Sequence, residues 1–309
     1  MEIVIWGTRG SIASPGPDTA VYGGNTTCVE IRNGDDFLIV DAGTGIRVCG
    51  NNLLKTRGPQ NNIPLFITHT HWDHIQGFPF FIPIFIPGNN VQIYGPHNHT
   101  QSLKDVMEAQ MQFSYFPVNF AQLQANIEYE SLSEMQPVQI GSIRVLPKYI
   151  NHPVPTLGYR FEFEDEVIVF MTDCEPYRDI LYNGECPAEE EREEFEEVQA
   201  AVAEQNQGLV DFAQGADVFV MDAQYTQEEY EDGKVGWGHT SMEDAISIAE
   251  RANVRQLLLC HHDPDRKDEV IGRLVEVYRA DLASRPESSI EFLDAAREQV
   301  VYSAKSTVK

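Results

Sequence analysis

Basic residues are scarce in this chain. Its 309 residues hold 22 Lys and Arg against 48 Asp and Glu, a formal net charge of −26. Such a surface repels phosphate backbones and anionic membranes at long range, so the balance excludes an extended nucleic-acid grip and a membrane surface as partners. Part of the excess is local. Glu185–Glu204 carries nine Glu and one Arg, which reads as a solvated helix face or as a cation-binding segment. No apolar run reaches the roughly 18–20 residues of a membrane span; the longest candidate, Phe78–Pro87, is interrupted by Pro79, Pro83 and Pro87. The first residues lack the basic and small-residue pattern of a secretory signal. Five cysteines (Cys28, Cys49, Cys174, Cys186, Cys260) are scattered, odd in number and without C-x-x-C spacing. They read as reduced thiols of a cytoplasmic protein and not as a disulfide framework. No low-complexity linker divides the sequence, so residues 1–309 are expected to form one domain, with an acidic helical insert near 177–215.

What is present is an interleaving of short β-rich runs with helical stretches. Strands are expected at Glu2–Trp6, Cys28–Arg32, Phe37–Val40, Pro64–Thr68, Val91–Tyr94, Ile143–Leu146, Tyr159–Phe163 and Val167–Met171. Four more are expected at Val218–Met221, Leu257–Cys260, Ile290–Leu293 and Gln299–Tyr302. Helical periodicity marks Gln101–Gln112, Glu190–Gln205, Met242–Ala252 and Lys267–Leu282, the third opened by a capping box at Thr240–Glu243. The pattern predicts a layered α/β fold. Three hydrophobic strands end in an aspartate, at Asp41, Asp173 and Asp222.

The chemistry concentrates in Thr68–His74, where His69, His71, Asp73 and His74 follow a buried strand and precede the expected start of a helix at Ile75. Alternation along extended backbone puts His69 and His71 on one side, and the turn into a helix gives Asp73 and His74 a second direction. Imidazole and carboxylate ligands suit zinc, manganese or iron. More donors stand at other strand ends: His152, Asp173, Asp222, His239, and the pair His261 and His262. A shared binuclear centre accounts for them together.

The run His69-x-His71-x-Asp73-His74 resembles the signature of the metallo-β-lactamase-fold hydrolases. The resemblance extends through His152, Asp173 and the histidine after Leu257–Cys260, and so spans most of the chain. It implies a four-layer αββα sandwich and two divalent metal ions, zinc or else manganese or iron. His69, His71 and His152 would hold one ion; Asp73, His74 and a C-terminal histidine, His261 in preference to His262, would hold the other. Asp173 would bridge them, and Asp41 would support a ligand histidine from behind. Gly43 and Gly45 then read as close-packing turn residues, since no G-x-G-x-x-G is present.

Within that superfamily the chain is similar to the phosphodiesterase branch, which includes ribonuclease Z-like and cyclic-nucleotide-cleaving enzymes. Asp222–Thr226 and Gly236–Ser241 carry that likeness. It implies His239 as general acid, held and kept protonated by Asp222, with His239, Asp222 and Asp73 as the catalytic residues. Arg9 reads as a structural ion pair, with phosphate contact as the alternative. The His97-x-His99 pair reads as a loop, Trp72 as a packing residue with an edge at the cleft, and Phe78–Phe85 as core or as part of a homodimer contact. With the charge argument added, the expected substrate is a small phosphodiester such as a cyclic nucleotide. A ribonuclease Z-type nuclease and a metal-containing binding protein with a degenerate hydrolase fold are the alternatives.

Overall fold

Strands buried on both faces need apolar residues throughout, and the central strands of this chain have them. All five residues of Val218–Asp222 and of Gln256–Cys260 are buried. The computed structural model describes residues 1–59, 61–98, 100–182 and 184–305. In chain order the strands are β1 (Glu2–Gly7), β2 (Cys28–Asn33), β3 (Asp36–Val40), β4 (Asn62–Phe66), β5 (Asn90–Pro96), β6 (Asn126–Leu132) and β7 (Val138–Ile140). They continue as β8 (Ile143–Ile150), β9 (Thr156–Phe163), β10 (Glu166–Met171), β11 (Val218–Asp222), β12 (Gln256–Cys260), β13 (Phe292–Ala295) and β14 (Val301–Ser303). One sheet has the order β14-β1-β2-β3-β4-β5-β6 and the other β13-β12-β11-β10-β9-β8-β7. In each sheet an antiparallel part joins a parallel part: β3 to β6 are parallel in the first, β10 to β13 in the second.

The helices are α1 (Gly45–Arg57), α2 (Trp72–Ile75), α3 (Leu103–Ala109), α4 (Arg192–Ala213), α5 (Gln227–Glu231), α6 (Met242–Arg251) and α7 (Asp268–Ala283). Strand alternation divides the apolar residues among three cores. Ile3 and Ile5 of β1 and Ile168 and Phe170 of β10 meet between the sheets. Their neighbours Val4 and Trp6 pack outward with α1, and Val169 and Met171 pack outward with α4, α6 and α7. Helix, sheet, sheet, helix is the resulting layer order, the αββα sandwich. Among the described residues no helix is long and apolar enough to cross a membrane.

Several local expectations shift. α1, β6 and β7 were not expected, because α1 opens on glycine and β6 alternates its apolar residues with Glu128 and Glu130. β13 and β14 begin two residues later than Ile290 and Gln299. α4 runs on to Ala213, buried at its C-terminal end through Leu209, Val210 and Phe212. The cap of α6 is Ser241 and not Thr240: the Ser241 hydroxyl accepts from the Asp244 N–H.

Candidate metal centre and active site

The parallel halves of the two sheets place the carboxyl ends of β3, β4, β10, β11 and β12 around one cleft, the usual ligand position in parallel sheets. Beyond β4 a bent stretch leads to His71, whose extended backbone makes it the N-cap of α2. The helix therefore begins at Trp72, three residues earlier than expected, and its single turn carries Asp73 and His74 inward. Two glycines permit the close approach behind it. A Cβ on Gly43 would lie 2.3 Å from the Asp73 carbonyl oxygen, and one on Gly77 would lie 2.0 Å from that of Gly43. Asp41, Asp173 and His261, each just beyond a strand end, adopt left-handed backbone with φ of 63°, 57° and 60°. Non-glycine residues rarely hold that conformation without compensation, and such residues cluster at functional sites.

The side chains converge in three groups, one of which, Asp222, His239 and His261, lies beside the other two and shares His261 with one of them. His69, His71 and His152 bring their ring nitrogens together, with His152 Nε2 3.2 Å from His71 Nδ1. Asp73, His74, Asp173 and His261 form the second group, all buried. Asp173 stands between the two. Its Oδ1 lies 3.7 Å from His69 Nε2 and 4.0 Å from His152 Nε2, while Oδ2 lies 3.0 Å from His74 Nε2 and 3.3 Å from His261 Nε2. Partners on the far side of each ring fix its orientation. His152 Nδ1 donates to the Gly238 carbonyl at 2.9 Å, and His74 Nδ1 meets Asp41 Oδ2 at 2.7 Å. Asp41 is held in turn by the N–H and hydroxyl of Thr68.

The donor set fits divalent ions. His69 Nε2 is buried without a hydrogen bond, a costly arrangement unless a cation meets it, and His74 Nε2 and Asp173 Oδ2 face each other at 3.0 Å. Burial holds His69 well below the usual histidine range and lowers His152 to about 4, so these rings are neutral and ready to ligate at pH 7. At His74 and His261 burial acts the same way but is outweighed. Asp173 and Asp73 hold His74 well above its ordinary value and raise His261 to about 9. Bound divalent cations would displace protons from these two rings and balance the carboxylates in their place.

Beside the centre, Asp222 Oδ2 accepts from His239 Nδ1 and from the Asp173 N–H, each at 2.9 Å. Its Oδ1 accepts from the N–H groups of Thr240 and Gln224. These donors use the carboxylate for orientation. His239 stacks on His261 with ring centroids 4.9 Å apart and keeps part of its edge exposed.

Other residues fall outside these groups. His262 is buried beneath Arg9, points to the Ala296 carbonyl, and is lowered to about 3 by burial and by Arg9. Arg9 itself is fully buried, donating to the carbonyls of Gly23, Asp263 and Arg266 and pairing with Asp268, so it is structural. His97 follows β5 and belongs to none of these groups, and His99 lies outside the described residues. Trp72 is no packing residue: it is 78% exposed and lines a cavity of about 610 Å³ with Phe80 and Tyr115. Phe78, Phe81 and Ile84 are core, whereas Phe80 and Ile82 face solvent.

Three contributors escaped sequence reasoning. The Ser11 N–H donates to Asp73 Oδ2 at 2.7 Å, and a Cβ on Gly10 would lie 2.4 Å from His261 Nδ1. Gly238 likewise admits no side chain against His152. Their only signal was glycine density around Gly7–Ser11 and Gly236–Gly238.

Comparison with known proteins agrees with this geometry. Residues 37–262 match the beta-lactamase superfamily domain. A ribonuclease Z of Thermoplasma volcanium is 26% identical over 303 residues, covering 91% of this chain and 92% of that protein. The metallo-beta-lactamase fold protein YhfI from Bacillus subtilis superposes with a TM-score of 0.63 at 15% identity, over 98% of this chain and 99% of that one. Human tRNase Z, short form, gives 0.62 at 17% identity, with the same coverage of 98% and 99%. The names correct one expectation. Net charge led to a small substrate and no extended nucleic acid, yet the relative that matches nearly end to end is a ribonuclease. The physical reason is range: screening confines the field of surface charge to roughly 8–10 Å at physiological salt, so net charge does not decide what a cation-lined cleft receives. The chain belongs to the beta-lactamase superfamily, with the metallo-β-lactamase fold.

Proposed function

We propose that the chain is a binuclear phosphodiesterase of ribonuclease Z type, cleaving an RNA phosphodiester with two zinc ions. The observation that carries this reading is the meeting of both donor groups with the Asp222–His239 pair at one cleft. His69, His71 and His152 would hold one ion, Asp73, His74 and His261 the other, and Asp173 would serve both. Bound there, the ions supply water activation and charge neutralisation on the phosphoryl oxygens.

The chain's own groups do the rest. His239 uses Nδ1 toward Asp222, which leaves Nε2 to give a proton to the departing oxygen. Asp222 fixes that ring while also binding the Asp173 N–H, so acid and metal-facing carboxylate share one anchor. Ser11 and Asp41 hold Asp73 and His74 in place. The complete set of seven donors and the acid pair counts against a degenerate binding protein, and the ribonuclease Z relative supports RNA as substrate. The reduced cysteines support a cytoplasmic enzyme.

The test is a comparison of kcat/KM for a 3′-extended precursor transfer RNA with that for a panel of cyclic nucleotides, using zinc-replete protein. The RNA is expected to give the higher value. A cyclic nucleotide exceeding it would overturn the assignment to RNA.

A further inference from the structure

Glu175 lies two residues beyond Asp173 and is 5% exposed. Its carboxylate accepts three hydrogen bonds, all from the segment leading to His239. The Tyr230 hydroxyl and the Gly236 N–H reach Oε1 at 2.5 and 2.7 Å, and the Gly238 N–H reaches Oε2 at 2.8 Å. The Glu175 N–H donates to the carbonyl of Asn151, the residue before His152, at 2.9 Å. Main chain and side chain of one residue therefore fasten the two loops that carry His152 and His239.

The Gly236–Gly238 turn has one backbone hydrogen bond of its own, from the Trp237 N–H to the Lys234 carbonyl at 3.1 Å, and Glu175 takes the N–H groups on either side of it. Both glycines adopt φ of +86°, a conformation that side chains disfavour, and a Cβ on Gly238 would sit 2.1 Å from His152 Nδ1. The Gly238 carbonyl also accepts from His152 Nδ1. Glu175 supplies this turn with an acceptor from outside it, and hydrogen bonds to a buried carboxylate are stronger than neutral ones. Tyr230, fully buried under the Arg178 guanidinium at 4.6 Å, closes the far side of the clamp.

We propose that Glu175 is a positioning residue of the active site, holding the Gly236–His239 turn so that its carbonyl orients His152 and its histidine faces the metal centre. The inference rests on the roles given above to His152 and His239. It is tested with full-length Glu175→Gln, which keeps the volume but turns an amide NH₂ toward at least one N–H or O–H donor. Zinc affinity, measured by chelator competition on folded protein, is expected to weaken about 10–100-fold, the range for partners of metal-binding histidines. Turnover of a 3′-extended precursor transfer RNA at saturating zinc, whose departing oxygen needs the proton, is expected to fall in kcat with KM within about threefold. In a His239→Ala background the same substitution should cost less than about threefold in kcat, because the positioned acid is already gone. Glu175→Asp, which keeps the charge, is expected to recover part of both losses.

Wild-type zinc affinity and kcat in folded Glu175→Gln would overturn the inference, as would a lower melting temperature with both constants unchanged. Full additivity with His239→Ala would also overturn it. A wild type that binds zinc but hydrolyses no diester would overturn the proposed function, and the affinity measurement would still decide Glu175.

Discussion

His69 and His152 reach the cleft as neutral rings because burial penalises their protonated forms, whereas carboxylates around His74 and His261 outweigh the same penalty. His239 is held through Nδ1 by Asp222 at 2.9 Å and belongs to neither of the two donor groups proposed to hold the ions. Its removal should separate binding from chemistry. His239→Ala is expected to retain its zinc while losing turnover on RNA by roughly 10²–10⁴, the usual contribution of a positioned acid. Aryl diesters, whose leaving groups need little protonation, should lose much less; equal losses on both substrates would remove the acid role. At this scale the donors were legible in the sequence because they cluster or end hydrophobic strands. Ser11, Glu175 and Gly238 were not, because they act through backbone N–H and carbonyl groups whose partners depend on chain path and not on residue spacing.

Elements place these residues through their ends. The left-handed turns at Asp41, Asp173 and His261 follow β3, β10 and β12, and α2 starts early enough to carry Asp73 and His74 on its only turn. Apolar runs announced the buried strands, while β6 stayed hidden because its polar alternation reads as loop and α1 because glycine opens it. The two sheets are also tied at their turns. Asp36, which opens β3, accepts from both the N–H and the hydroxyl of Ser142 at 2.7 Å, just before β8. Those hydrogen bonds hold the Asp36 carboxyl below its ordinary range. A depressed carboxylate stabilises the fold above its unfolded value near ~3.9 and loses that contribution as pH falls through the folded value. Asp36→Asn is therefore expected to cost about 0.5–1 kcal/mol at pH 7, kept small by solvent screening at this largely open site. The difference should shrink progressively as pH falls below ~3.9 in paired urea melts. A constant difference across that window would show that charge plays no part.

For the molecule as a whole, a net charge of −26 and an RNA substrate pull in opposite directions. Proteins that grip RNA through many Lys and Arg contacts lose affinity steeply with salt, about 10³–10⁵ between 50 and 200 mM for 6–10 contacts on duplex. Here salt also screens repulsion, so kcat/KM for precursor transfer RNA is expected to change by less than about tenfold over that range. A steep fall would reveal a basic RNA surface that dominates the acidic remainder. The layered fold was legible from the alternation of strands and helices. Net charge could not support the exclusion of extended nucleic acid, because it describes the distant field, and the cleft is governed by groups a few ångströms away. All of this rests on two ions held by seven side chains. Native mass spectrometry of zinc-replete protein, with bis-p-nitrophenyl phosphate hydrolysis measured on the same sample, tests that most directly. Two zinc ions per active wild-type chain, and fewer ions with lost activity in Asp173→Ala, is the predicted result; one ion or none in active wild type would contradict it.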